Sequence, residues 1–253
     1  MNRVPLLATR GLRTGFGGDT VLADVSVEVC AGEVVSVFGG NGSGKTTLLR
    51  AIYGLQPIWE GRVIVGGADV ARAQPWVLLR CGVLFVPQGT PMFEDLSVAE
   101  HLALRRSLSG LGRCAVDLAE ALTDYAPRLL VRLRQAARTL SGGERQVLGM
   151  AAALSVRPRV LLVDEPCQGL TQPATSDVLA LVRRVSDRTG AGVLLAEHRW
   201  KEALAVSDRV YALRGGRVVV AERAEDIRDL ASLRSVVLGQ VEGTAESPPG
   251  SKG

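Results

Sequence analysis

Apolar positions in this chain fall into short runs separated by longer amphipathic stretches. "EVVSVFG" (Glu33–Gly39), "VLFVP" (Val83–Pro87), "RVLLVDEP" (Arg159–Pro166) and "GVLLAEH" (Gly192–His198) predict strands. Three of these runs are almost continuously apolar, the pattern of parallel strands buried on both faces. Lys45–Tyr53, Gly142–Val156, Ala174–Thr189 and Trp200–Val206 carry helical spacing. Strands alternating with helices imply an α/β fold around a parallel sheet. "YALRGGRVVV" (Tyr211–Val220) predicts a hairpin turning at Gly215-Gly216. The N-terminal region predicts strand, with alternation in Val25–Val29. Ser97–Arg138 breaks the alternation: it is rich in Ala, Leu and Arg, and Pro127 and Gly110–Gly112 interrupt its helices. Together with the helix after it, this gives an inserted helical lobe at about 97–157. The final "VEGTAESPPGSKG" (241–253) has the composition of a disordered tail. No internal repeat is present, so residues 1–240 form one module.

Composition narrows the class. A chain of 253 residues, 47% of them hydrophobic, can build one large domain with an insertion. The net charge of +4 is too small to imply nucleic acid by itself. Arg128, Arg132, Arg134 and Arg138 invite a nucleic-acid or lipid reading, but no aromatic residues interleave them for base stacking. A solvated basic face is preferred. Cys30, Cys81, Cys114 and Cys167 are far apart and form no C-x-x-C or Cys/His cluster, which favours reduced thiols over zinc or disulfides. The first residues lack a secretory cleavage pattern, and no run approaches the roughly 18 apolar residues of a membrane span. A membrane role requires another chain to provide the span.

Arginine is the default cation here. The three lysines are Lys45, Lys201 and Lys252, and Lys45 has a chemical reason. "GGNGSGKTTL" places Gly39, Gly44, Lys45 and Thr46 in the spacing G-x-x-x-x-G-K-[ST], after a predicted strand and at the start of a predicted helix. Glycines let successive N–H groups turn toward phosphate oxygens, and the helix N-terminus adds partial positive charge. Asn41, Gly42, Ser43 and Thr47 belong to the same cradle. Lys45 supplies a compact point charge for the β- and γ-phosphates, where a guanidinium fork fits poorly. Thr46 offers a hydroxyl to Mg²⁺. The alternative, a glycine-rich loop with an exposed lysine, does not explain the strand–loop–helix context. Asp164 and Glu165 end an apolar strand, where open α/β sheets bind ligands. Asp164 fits the acid on the magnesium side, and Glu165 an orienter or base for the attacking water. The alternative is an acidic turn before Pro166.

"LSGGERQ" (Leu140–Gln146) has the form of a capping box, with Ser141 as N-cap and Glu144 reaching back. Two glycines in a first turn are costly unless something approaches the backbone closely, and a second phosphate is a candidate. With "GGNGSGKTT", "VPQG", "VLLVDEP" and "AEH" in this order, the chain resembles the ATP-binding subunits of ATP-binding-cassette (ABC) transporters over nearly its whole length. That resemblance implies a P-loop NTPase cassette: a RecA-like parallel-sheet core, an N-terminal antiparallel β region and an inserted helical lobe. It also implies an ATPase using ATP and Mg²⁺, peripheral on the inner face of the cell membrane. Gln88 would link the magnesium site to the lobe, and His198 would contact the γ-phosphate. His101 has no such placement. Phe16 would stack on adenine, although a plain loop or core phenylalanine is the alternative. Two cassettes would meet head to tail, so that Ser141, Gly142 and Gly143 serve a partner's ATP.

The implied partners are a second cassette (a copy or a paralogue), two membrane permease subunits and an extracytoplasmic solute-binding protein. No nucleic acid is implied. Gly40 stands where the family often has proline, which should loosen the loop. Thr171-Gln172-Pro173 stands where most members have an aspartate after "EPCQGL". The subfamily serving branched-chain amino acid importers, and its urea/amide relatives, resembles this chain there, in "VPQGTPMFEDLSVAEHL" and in "DLASLRSVVLGQ". His198 departs from it, since one of its subunits often has glutamine there. A soluble cassette for translation or DNA repair would favour two fused cassettes or a coiled-coil insert. A GTPase needs an N-K-x-D-type reader, but the asparagines are Asn2 and Asn41. A kinase gives no reason for "LSGGERQ", and a scaffold none for Lys45, Asp164 and Glu165.

Overall fold

The computed structural model describes residues 4–89, 93–108, 126–154 and 157–239. Gly110–Gly112, Cys114 and the tail at 241–253 lie outside the described residues. The strands are β1 (Leu7–Phe16), β2 (Asp19–Val25), β3 (Glu28–Val29), β4 (Val34–Phe38), β5 (Glu60–Val65), β6 (Ala68–Asp69), β7 (Val83–Val86), β8 (Val160–Asp164), β9 (Gly192–Ala196), β10 (Arg209–Arg214) and β11 (Arg217–Arg223). The described α-helices are α1 (Lys45–Ile52), α2 (Pro75–Arg80), α3 (Val98–Leu108), α4 (Gly142–Leu154), α5 (Gln172–Thr189), α6 (Trp200–Leu204) and α7 (Leu230–Leu238).

A six-stranded sheet in the order β11-β10-β4-β9-β8-β7 forms the core. Neighbours in it are parallel except β10 and β11, the hairpin expected from "YALRGGRVVV". The continuous apolar runs are explained by two cores, one on each face. Val34, Phe38, Leu161, Val163, Val193 and Leu195 point into one, with residues of α4 and α5. Val35, Val37, Leu162 and Leu194 point into the other, with α1 and the antiparallel strands. Phe38 stacks on Trp200 at 4.9 Å between ring centroids. The N-terminal strands build a second sheet, β2-β1-β5-β6, with β3 paired to β1.

Three differences from the sequence expectation have local causes. β5 was not foreseen because its first three residues are exposed and only Val63 and Val65 are buried. α5 starts at Gln172 rather than Ala174, because a proline in a first turn removes only an N–H that has no helical partner. α7 turns just two residues, Leu233 and Val237, fully inward, so its apolar face is narrow. Asp229 caps it by accepting from the Ala231 N–H at 2.9 Å. In the lobe, Pro127–Arg132 forms a 3₁₀ turn. Arg128 pairs with Asp177 at 3.0 Å, Arg132 with Glu144 at 3.3 Å, and Arg138 with Asp95. Most of the basic stripe is thus balanced by carboxylates of the same chain.

Candidate active site

The carboxyl ends of β4, β9, β8 and β7 lie side by side, and each delivers part of one cluster. From β4 the chain enters the loop Gly39–Gly44 and then α1. Gly44 has φ 104°, and a β-carbon there would collide with Leu22 of β2, so glycine is required. No side chain caps α1 and its first turn has no acid, which leaves its first N–H groups for an anion. Ser43 Oγ is buried without a hydrogen-bond partner among the described residues. An orphaned hydroxyl in a loop of this shape fits a phosphate oxygen. Asn41 and Gly42 are exposed, and Thr47 is half-buried.

Lys45 is buried, and its Nζ donates to Gly39 O at 3.0 Å and Gly40 O at 3.3 Å. It also lies 3.5 Å from Glu165 Oε1. The Thr46 hydroxyl donates to Asp164 Oδ1 at 3.1 Å. Burial raises the Asp164 pKa, while that hydrogen bond works the other way. Glu165 follows β8 with φ 42°, a left-handed conformation that is unusual outside glycine and held by the surrounding structure. Its N–H donates to Ala196 O at 2.9 Å. Gln88, after β7, donates to Glu165 Oε2 at 3.4 Å. From β9, His198 Nδ1 reaches 3.7 Å from Glu165 Oε2. Lys45, Thr46, Gln88, Asp164, Glu165 and His198 are thus brought together from four strand ends. Phe16 lies apart, half exposed at the tip of the β1–β2 hairpin.

Further residues around the cluster were not foreseen. Gln168 accepts from Gln88 Nε2 at 2.6 Å. Arg199 donates to Leu170 O and to Thr175 Oγ1, both at 2.6 Å, and Gln172 Nε2 donates to Glu202 Oε1 at 2.6 Å. These bonds tie the turn Thr171-Gln172-Pro173 to the segment after His198. Glu197 is completely buried, and its Oε1 lies 3.8 Å from His198 Nδ1. Burial, and then the charge of Glu165, push its carboxyl up to about 7. The available signal was a charged residue at the end of an otherwise apolar strand.

The "LSGGERQ" segment stands away from these contacts. Its capping box is real: the Ser141 N–H donates to Glu144 Oε2 at 2.9 Å, and the Glu144 N–H to Ser141 Oγ at 3.3 Å. The two glycines differ. A β-carbon on Gly143 would lie 2.8 Å from Ala174 Cβ, so packing of α4 against α5 accounts for that glycine. Gly142 is exposed, and the nearest atom to such a carbon, in Leu170, is 3.8 Å away. Its own chain imposes no glycine there.

Comparison with known proteins shows the family. Residues 22–168 match the family model described as "ABC transporter". The chain belongs to the ABC transporter ATP-binding family. The high-affinity branched-chain amino acid transport ATP-binding protein BraG of Pseudomonas aeruginosa is 32% identical over 234 residues, covering 92% of this chain and all of its own length, 100%. An Fe(3+) ions import ATP-binding protein, FbpC of Streptomyces coelicolor, is 37% identical over 213 residues, 84% of this chain and 60% of that one. The ADP conformation of MJ1267, an ATP-binding cassette of an ABC transporter, superposes with a TM-score of 0.80 at 25% identity, covering 93% of this chain and 98% of its own. This cassette is an ATP-binding ATPase coupled to transport, and such subunits work with membrane permeases. None of its described helices is long and apolar enough to cross a membrane.

Proposed function

We propose that this cassette hydrolyses ATP at a site completed by a second cassette, and so energises import of branched-chain amino acids. The observation that carries the catalytic part is the convergence of Lys45, Thr46, Asp164, Glu165, Gln88 and His198 from four strand ends. In this reading Lys45 and the loop N–H groups bind the β- and γ-phosphates, and His198 donates to the terminal phosphate. Glu165 orients the attacking water and takes its proton. Thr46, Asp164 and Gln88 present hard oxygen donors suited to magnesium. When bound, magnesium would neutralise charge developing on the phosphate oxygens. Phe16 supports the adenine.

Ser141 and Gly142, both exposed, serve the partner's nucleotide together with the half-buried Gly143. The spare room at Gly142 favours this over a purely internal role for the segment. Gly142→Asp is therefore expected to leave ATP affinity and melting temperature of the lone cassette near wild type. ATPase activity of the assembled pair should fall steeply, because like charges repel strongly in a partly desolvated gap. Full activity alongside the true partner would remove the segment from the active site.

The solute assignment rests on the full-length match to BraG together with Pro173 and the absence of an acid after Leu170. The iron-importer match supports a second reading, an importer of another solute, and urea or amides remain the nearest alternative chemistry. The partners would be two permease subunits and an extracytoplasmic binding protein, with the cassette on the inner membrane face. Residues 1–240 would form the cassette. A strain lacking the gene should lose uptake of labelled leucine and regain it from the wild-type gene but not from Glu165→Gln. Unchanged leucine uptake with lost uptake of iron or urea would move the assignment.

A further inference from the structure

Among the described residues, the buried side-chain polar atoms without a hydrogen-bond partner are Ser43 Oγ and both carboxyl oxygens of Glu197. Ser43 belongs to the phosphate cradle. Glu197 extends β9, an otherwise apolar strand, and is 0% exposed. An unpaired carboxyl in such a place is costly, and an apolar residue would continue the strand at no such cost. The backbone amides of Arg199 and His198 favour its anion, short of a full hydrogen bond. His198 Nδ1 lies 3.8 Å from its Oε1.

We propose that Glu197 is a positioning residue for His198: its carboxyl holds the Nδ1 side of the imidazole, so that Nε2 stays an N–H donor for the terminal phosphate. The proposal rests on the reading of His198 as a phosphate donor. A neutral imidazole carries one N–H. With that proton on Nδ1, Nε2 would turn a lone pair toward an anion. With it on Nε2, the Nδ1 lone pair faces Glu165 Oε2 at 3.7 Å and Glu197 Oε1 at 3.8 Å. A second proton must therefore sit on the Nδ1 side. Glu165 is unsuited to hold it, because it lies against Lys45 and Gln88 and must stay ionised to act as a base. The proton belongs between Glu197 and Nδ1, as O–H···N or as O⁻···H–N⁺. Both forms leave Nε2 protonated.

The surrounding groups fit. Arg199 spends its guanidinium on Leu170 O and Thr175 Oγ1. The Cys167 thiol is kept neutral by burial. A carboxyl pushed up to about 7 exchanges a proton readily with an imidazole. The 3.8 Å separation is long for a hydrogen bond, and such contacts often tighten only when substrate closes the site.

The chain has 2 histidines, His101 and His198, so ¹⁵N-histidine labelling of the full protein gives two imidazoles, and His198→Gln assigns them. In Glu197→Gln the His198 titration midpoint should fall, since the carboxyl that shares the Nδ1-side proton has been removed. An unchanged midpoint overturns the proposal. The variant relieves a buried acid and should fold. Glu197→Leu is a second route to the same fall. Carboxylates behind a metal-ligating imidazole typically contribute about 10–100-fold, and an effect of the same order is expected here. Accordingly kcat of Glu197→Gln should drop on the order of tenfold with KM for ATP little changed. That drop should vanish in a His198→Ala background. A loss of the same size in that background means Glu197 acts elsewhere and sinks the proposal. Wild-type turnover in His198→Ala rejects His198 as phosphate donor, whereas the titration still decides whether the two side chains are linked.

Discussion

Glu165→Gln is expected to bind ATP with near wild-type affinity and to hydrolyse it about 10²–10⁴-fold more slowly, the usual loss when a general base is removed. In the proposed reading the phosphate cradle is backbone N–H and Lys45, and neither depends on the carboxylate charge. Glutamine keeps the hydrogen bond from Gln88, which now meets an amide oxygen. Lys45 keeps Gly39 O and Gly40 O. The left-handed backbone at 165 is unfavourable for both side chains, so its cost is common to the two proteins. The comparison therefore isolates the base. Single-turnover hydrolysis and nucleotide titration on one preparation measure both halves. Retained turnover would show that another group positions the water.

The second large effect is at Lys45. Lys45→Ala removes a buried ammonium that touches two loop carbonyls and Glu165. Hydrogen bonds to charged groups contribute about 1.5–3 kcal/mol, so ATP affinity should weaken roughly 10–150-fold. Lys45→Arg should not restore it, because a planar fork cannot replace a point charge between two phosphates. The melting temperature without nucleotide separates this from unfolding. Removing the cation leaves Glu165 with Gln88 and His198, both at the edge of solvent, so only modest destabilisation is expected. Unchanged nucleotide affinity would reject the role assigned to Lys45.

The parts of this molecule legible in its sequence are those where a short pattern has one physical solution. Continuous apolar runs have to be buried on both faces, and β4, β8 and β9 are. The loop between β4 and α1 was legible because its glycines, lysine and threonine lie within a few residues of each other. β5 was hidden because its exposed half carries charge and glycine, and its pairing with β1 is a long-range fact. Glu197 was hidden for a related reason. It lies in "AEH" (Ala196–His198), but burial and lack of a partner belong to the folded environment, not to the residue. The double glycine of "LSGGERQ" looked like one signal. In three dimensions it separates into Gly143, packed on Ala174, and Gly142, with room beside it.

The strand order has a consequence for how the molecule comes into being. β4, which carries the phosphate loop, pairs Val34 with Val193 on one side and Val35 with Arg209 on the other. A ribosome therefore finishes the loop long before it makes either neighbour that holds β4 in the sheet. Until then the chain has an unpaired apolar strand and no place to gather Asp164, Glu165 and His198. Such long-range closure slows folding and exposes intermediates to aggregation. ATP recognises only the finished arrangement, so it stabilises the native chain by mass action and gives an emerging one no help.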